Sequence, residues 1–205
     1  IRVDRVDCKL ATGPCWARHR AQQLWRGEEY YLSLDSHTRF IQDWDQILLS
    51  QLALCPSQKA ILTTYPVGYE RGKPTPTDPR STITVASQFG PEGMLRLSGK
   101  LLAKTHKEPL KASFWVSGFS FSSSAVLTEV PYDPHLQYIF FGEESSMTAR
   151  LWTHGWDFYA PGSNIIWHLW SRSYRPVFRE NKLDETQERR SFLRIKLQLK
   201  VLTTE

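Results

Sequence analysis

Between Pro14 and His37 the hydrophobic pattern changes period once, and that change restricts the fold more than any other stretch of the chain. Residues 14–26, PCWARHRAQQLWR, begin with a proline after a glycine and place apolar side chains at Ala17, Ala21, Leu24 and Trp25. That spacing predicts a helix, with Pro14 in the first turn where its missing N–H is tolerated. Gly27 closes the pattern. Tyr30–Leu34 then reads as a buried parallel strand, almost continuously apolar, and runs into the polar triplet Asp35-Ser36-His37. Helix, glycine, buried strand and polar loop is the rhythm of an open α/β sheet.

The rhythm continues with a helix predicted over 44–55, closed by Pro56, and a strand over 59–65. Residues 66–79 are rich in proline and glycine and read as loop. Over 80–110 only TITVAS suggests a strand. Residues 113–121, SFWVSGFSF, suggest a strand broken at Gly118, and SSMTARLWTHG suggests a helix over 145–155. YAPGSNIIWHLWS reads as a turn leading into a short β run. Asp184 with Gln187 resembles an N-terminal cap and its partner, which predicts a helix over 185–197. The tail LRIKLQLKV also alternates, so a strand stays open there. No internal repeat is visible.

At 205 residues the chain suits one domain, and its opening IRVDRVDCKL reads like the middle of one, so an upstream piece is expected to be missing. No apolar run approaches the roughly 20 residues of a membrane helix. Lys plus Arg is 26 and Asp plus Glu 21, a net charge of +5 that suits an anionic ligand but is too mild and scattered for nucleic acid. Three cysteines without a CxxC pair argue against a structural zinc site or a disulfide framework and favour a reducing compartment. Four of the eight tryptophans fall between Trp152 and Trp170, a density common where carbohydrate binds, although packing accounts for most single tryptophans.

Two clusters carry candidate chemistry. Asp35-Ser36-His37 follows a strand, and ligands of open α/β sheets bind at strand carboxyl ends. In extended backbone, positions i and i+2 point the same way, so Asp35 and His37 could converge on one cation. A hard oxygen with a borderline nitrogen suits Mn²⁺ or another divalent cation, with phosphate oxygens filling the remaining positions. The blander reading makes Asp35 a helix cap and His37 a packed side chain. The second cluster, FFGEESSMTARLWTHGWDFYAPGSNIIWH, brings together Glu143, Glu144, Trp152, Trp156, Asp157 and His168. Its bland reading is an aromatic core with acids at a helix start, where they are favourable anyway.

Taken together, GPCWARHRAQQLWRGEEYYLSLDSHTRFIQDWD, SGFSFSSSAVLTEVPYDPHLQYIFFGEE and ARLWTHGWDFYAPGSNIIWHLWSR resemble the cytosolic glycosyltransferases that attach N-acetylglucosamine to a hydroxyproline of a ubiquitin-ligase adaptor. A more distant likeness is to the mucin-type polypeptide N-acetylgalactosaminyltransferases. Those enzymes carry a D-x-H manganese motif, then W-G-G-E-N, a tryptophan and a further histidine ligand. Here Phe140-Phe141-Gly142-Glu143 stands at the second of these, Trp152 follows Glu143 by 152 − 143 = 9 positions, and His168 follows Trp152 by 168 − 152 = 16.

The resemblance implies a GT-A fold: an α/β architecture with an open, mostly parallel sheet flanked by helices, its N-terminal nucleotide-binding strands missing here. It implies one catalytic domain over 1–205, a UDP-sugar donor, a protein acceptor, retention of configuration, no membrane or nucleic-acid partner, and a cytoplasmic setting. Asp35, His37 and His168 would be the metal ligands. Arg18, in a G-x-x-x-x-R pattern, and Arg172 would serve the diphosphate, Ser117 and Gly118 would lie against the sugar, and Trp152 would border the substrate. Glu143 and Glu144 would be the catalytic carboxyls, with Glu143 orienting hydroxyls during front-side substitution. Two departures limit the loan: Phe119 and Glu144 stand where the distant relatives have glycine and asparagine. A metal-dependent hydrolase and a non-catalytic carbohydrate-binding relative remain the competing readings, the former weakened by the absence of HExxH.

Overall fold

Gly13, at φ 119°, turns the chain into helix α1 (Pro14–Gln22), where Pro14 sits in the first turn. The helix is four residues shorter than its apolar spacing suggests. Local bonds compete with it: the Trp25 indole N–H donates to the Glu28 carbonyl (2.9 Å), and Arg26 donates to the Gln23 and Trp25 carbonyls (2.8 and 2.7 Å). The structure, a computed structural model, describes residues 1–173 and 184–201.

The main sheet has the order β1-β8-β3-β9-β7. Its strands are β1 (Tyr30–Leu34), β8 (Phe119–Ser123), β3 (Ala60–Thr63), β9 (Asp157–Ala160) and β7 (Leu110–Ala112). Only β3 and β9 run parallel; the other three pairings are antiparallel. The expectation of a mostly parallel sheet is therefore corrected to a mixed one, within an α/β fold of GT-A type. Strand β1 lies at the edge and is antiparallel rather than buried and parallel. Tyr30 is exposed and stacks on Phe121 (5.6 Å between centroids), so its aromatic surface is covered on one side only.

The central strand β3 is buried on both faces. Ile61 packs with Trp115, Trp156 and Leu151 on one side, and Leu62 packs with Leu48, Phe119 and Ile166 on the other. Period-two alternation thus feeds two cores from one strand, each fully buried aliphatic contributing roughly 1.5–3 kcal/mol. Helix α2 (Trp44–Ala53) supplies Leu48 to one layer, and helix α4 (Glu143–Thr153) supplies Met147 and Leu151 to the other. Helix α3 (Ala125–Glu129) is a short turn after β8.

Two smaller sheets complete the frame. In one, β10 (Ile166–His168) pairs antiparallel with β2 (Thr38–Phe40) and parallel with β4 (Val67–Gly68), a two-residue strand inside the stretch read as loop. The other is the hairpin β5 (Thr82–Phe89) and β6 (Leu95–Leu101). The segment 113–121 is a strand only from Phe119 onward. Helix α5 (Glu185–Gln198) carries the expected cap, with the Asp184 carboxylate accepting from the Gln187 N–H (3.1 Å), and the alternating tail is helix through Gln198. No helix among the described residues is long and apolar enough to cross a membrane.

Candidate active site

The register Leu34↔Phe119 sets Asp35 beside Gly118, whose carbonyl accepts from the Asp35 N–H (3.1 Å). The Asp35 carboxyl group lies across Gly118 so closely that a Cβ there would meet Asp35 Oδ2 at 2.9 Å. Glycine is needed here to admit a neighbouring side chain. Arg18 reaches over from α1: its Nη2 donates to Asp35 Oδ1 (2.6 Å) and to the Ser117 carbonyl (3.3 Å), and its Nη1 is 3.6 Å from Glu143 Oε1. Burial opposes the guanidinium charge, but Glu143, Tyr132 and Asp35 together hold its pKa above the ordinary arginine value.

The two adjacent carboxyls occupy the first turn of α4, entered through Gly142 at φ 98°. Glu143 is 3% exposed and accepts from the Tyr132 hydroxyl (2.8 Å). Burial raises its pKa, against the pull of Arg18 and Tyr132. Glu144 accepts from the Tyr65 hydroxyl, the Ser117 N–H (3.2 Å) and the Ser117 hydroxyl (3.5 Å). Burial lifts it to about 7, with the Tyr65 hydrogen bond opposing.

His168 ends β10, opposite Thr38 in the ladder with β2. Its Nε2 is 3.9 Å from Asp35 Oδ2. Burial lowers its pKa, against Asp35, so the ring is neutral at neutral pH and keeps a lone pair. Trp170 packs on it (4.4 Å between rings) and is pinned by its N–H to the Pro66 carbonyl (3.2 Å). The Arg172 guanidinium stands 5.1 Å from the Phe140 ring.

Arg18, Asp35, Ser117, Gly118, Glu143, Glu144, His168 and Arg172 line one cavity of about 480 Å³. Two expected residues do not. Trp152 is 68% exposed and faces a different groove. Nine positions along an α-helix amount to two and a half turns, so Trp152 must point away from Glu143. The backbone at 35–37 is not extended either. His37 adopts φ 67°, its carbonyl accepts from the Leu169 N–H (3.2 Å), and the Thr38 hydroxyl donates to the Asp35 carbonyl (2.8 Å). Residues 35–38 form a tight turn, so same-side convergence of i and i+2 does not apply. Tyr65, Arg96 and Trp170 also line the cleft. Tyr65 follows β3 at its carboxyl end, a position that could have flagged it; Arg96, on β6, carries no motif.

Asp35 and His168 suit a divalent cation in part. A separation of 3.9 Å is one that a single ion with ligand distances of roughly 2.0–2.3 Å can span. Asp35 Oδ1 is already taken by Arg18, and among the described residues no group of three His, Cys, Asp or Glu side chains is gathered for a metal.

The edge-strand carboxylate, the glycine beneath it and the acids opening a helix belong to an α/β fold of GT-A type. The family model described as Glycosyltransferase (GlcNAc) matches residues 1–205, and the chain belongs to that family. Among solved structures it is similar to a crystal structure of GalNAc-T7 with UDP, GalNAc and Mn²⁺, with a TM-score of 0.61 and 16% identity. That likeness covers 91% of this chain and 35% of the other, so the chain spans about a third of the length of the protein it matches. A search of curated proteins by sequence gives no match.

Proposed function

We propose that this chain forms the metal-binding and acceptor-side part of a retaining glycosyltransferase. It would move N-acetylglucosamine from UDP-GlcNAc to a protein hydroxyl, with a hydroxyproline of a ubiquitin-ligase adaptor as acceptor and the cytoplasm as its setting. The observation that carries the reading is the meeting of Asp35, His168 and Arg18 in a cavity that Glu143 and Glu144 also line. Asp35 and His168 would hold a divalent cation such as Mn²⁺, with His37 as a third donor only after its turn rearranges. When bound, that ion supplies Lewis-acid neutralisation of charge developing on the departing diphosphate.

The chain's own side chains account for the rest. Arg172, exposed at the cavity rim, can meet phosphate oxygens with its planar fork. Glu143 is held by Tyr132 and lies beside Arg18, which fixes it as an orienting group and not a free nucleophile. Glu144, with Ser117, faces the sugar. The acceptor oxygen would then attack from the face that the diphosphate leaves, with retention, its proton passing to an oxygen of the departing diphosphate.

The full-length protein that carries this chain, incubated with UDP-GlcNAc and Mn²⁺, should release UDP, faster with a hydroxyproline peptide. Absence of turnover with every UDP-sugar tested, with or without metal, would sink the reading. The turn at His37, which among the described residues leaves Asp35 and His168 without a third gathered ligand, favours a second reading, a nucleotide-sugar binder without catalysis. That protein would be stabilised against heat by UDP, increasingly as ligand concentration rises, yet release no product.

A further inference from the structure

The Tyr65 phenol reaches across the cleft from the end of β3 to Glu144, 79 positions later in the chain. Its ring is held in place. Tyr65 packs 5.8 Å from the Trp170 ring, its carbonyl accepts from the Thr82 hydroxyl, and β6 crosses so closely that a Cβ on Gly99 would meet Tyr65 Cβ at 3.0 Å. On the other side, both donors of Ser117 approach the second oxygen of the same carboxyl. A carboxylate offers about four acceptor positions. Tyr65 and Ser117 occupy three of them, which leaves about one for a hydroxyl entering the cleft.

We propose that Tyr65 is a positioning residue: its hydroxyl holds the Glu144 carboxylate against Ser117 so that the remaining lone pair faces a hydroxyl of the bound sugar. The assignment rests on the glycosyltransferase reading of this cleft. The charged and titratable groups around Glu144 are Glu143 on the same turn, Arg18 from α1 and Tyr65 itself; Asp35, beyond β1, acts on Tyr65. Burial and Glu144 raise the phenol's pKa, so Tyr65 remains a donor at neutral pH. Without that donor, the buried carboxylate keeps only Ser117, takes up a proton at higher pH and is free to swing. Its hydrogen bond to the sugar is then lost in the transition state more than in the ground state.

Tyr65→Phe keeps the ring and removes only the hydroxyl. UDP-GlcNAc hydrolysis should lose about tenfold in kcat with KM within about twofold, the pattern of a contact made mainly in the transition state. The acidic limb of its pH profile should move to higher pH. In the free chain, the ¹³C carboxyl titration of Glu144 should move up in the same direction. Glu144→Gln should abolish the limb, and adding Tyr65→Phe to it should cost little more, because the two groups act as a unit. An unmoved Glu144 titration, an unmoved limb, or additive losses in the double variant would each overturn the proposal. If the full-length wild-type protein turns over no UDP-sugar, the glycosyltransferase reading fails, and the Glu144 titration in Tyr65→Phe still decides whether Tyr65 holds that carboxyl.

Discussion

Helix α4 separates two cavities that differ in what they cost to build. At its first turn, Glu143 and Glu144 border a cleft of about 480 Å³ that also holds Arg18, Asp35 and His168. On its far side Trp152 stands over a groove of about 830 Å³ walled by Phe89, Met94, Phe114 and Phe158. The groove needs only apolar side chains near one another. In the cleft, each buried charge must find a partner, because an unpaired one costs several kcal/mol. Those partners come from α1, from the turn after β1, from β3's end, from the turn before β8 and from β10. The cleft collects charge that water would otherwise solvate, and the described lining of the groove collects none beyond Lys111, Asp157 and Lys196.

The contrast is sharpest at Asp35. Asp35→Asn removes the charge that Arg18 and any cation share while keeping the volume. Turnover should fall about a thousandfold, roughly 4 kcal/mol of barrier. Steady-state UDP release with Mn²⁺ is the measurement, and activity within about threefold of wild type would remove Asp35 from the chemistry.

Glu144 tests whether the cleft really stores unfavourable burial. Its folded pKa of about 7 lies above the ordinary 4.5, so the folded chain binds the proton more tightly than the unfolded one. Stability from this group is present below pH 4.5 and is lost as pH rises towards 7. The gap of 7 − 4.5 = 2.5 corresponds to at most about 3 kcal/mol. Glu144→Gln cannot titrate, so its Tm relative to wild type should be more favourable at pH 8 than at pH 5. A Tm difference independent of pH would mean that Glu144 is already solvated.

Gly118→Ala sets a methyl group against Asp35 Oδ2 at 2.9 Å and must push the carboxylate aside. A loss of about tenfold in kcat/KM, near 1.4 kcal/mol, is expected, with the helical circular dichroism unchanged. Full activity would show that Asp35 has room to move. Trp152→Ala should change UDP-GlcNAc turnover by less than about twofold, since its ring faces the other groove. A larger loss would join the two cavities functionally and break the comparison.

Much of the frame was legible in the sequence. Helices near 14–22, 44–53, 143–153 and 185–198 and strands at 30–34 and 60–63 follow from apolar period, prolines and caps, which act over a few residues. The two acids at the start of α4 and the aspartate closing β1 were equally visible. Trp152 was misplaced because a matched spacing says nothing about which side of a helix a residue faces. His37 was misread because a left-handed turn, not an extended pair, follows β1.

By itself, then, the sequence determined the four longer helices, a few strands and the residue types able to carry the chemistry, because these depend on neighbours within one or two turns of chain, while β4, β6 and β7 escaped it. Tertiary structure alone decided the antiparallel pairing of β1, which turns on what covers each face of the strand. It also decided the meeting of Asp35 with His168, 168 − 35 = 133 positions away, and of Tyr65 with Glu144. The Tyr65 contact arises because a buried carboxyl such as Glu144 must find donors wherever the packed sheet brings them, and no local pattern encodes which donor that will be.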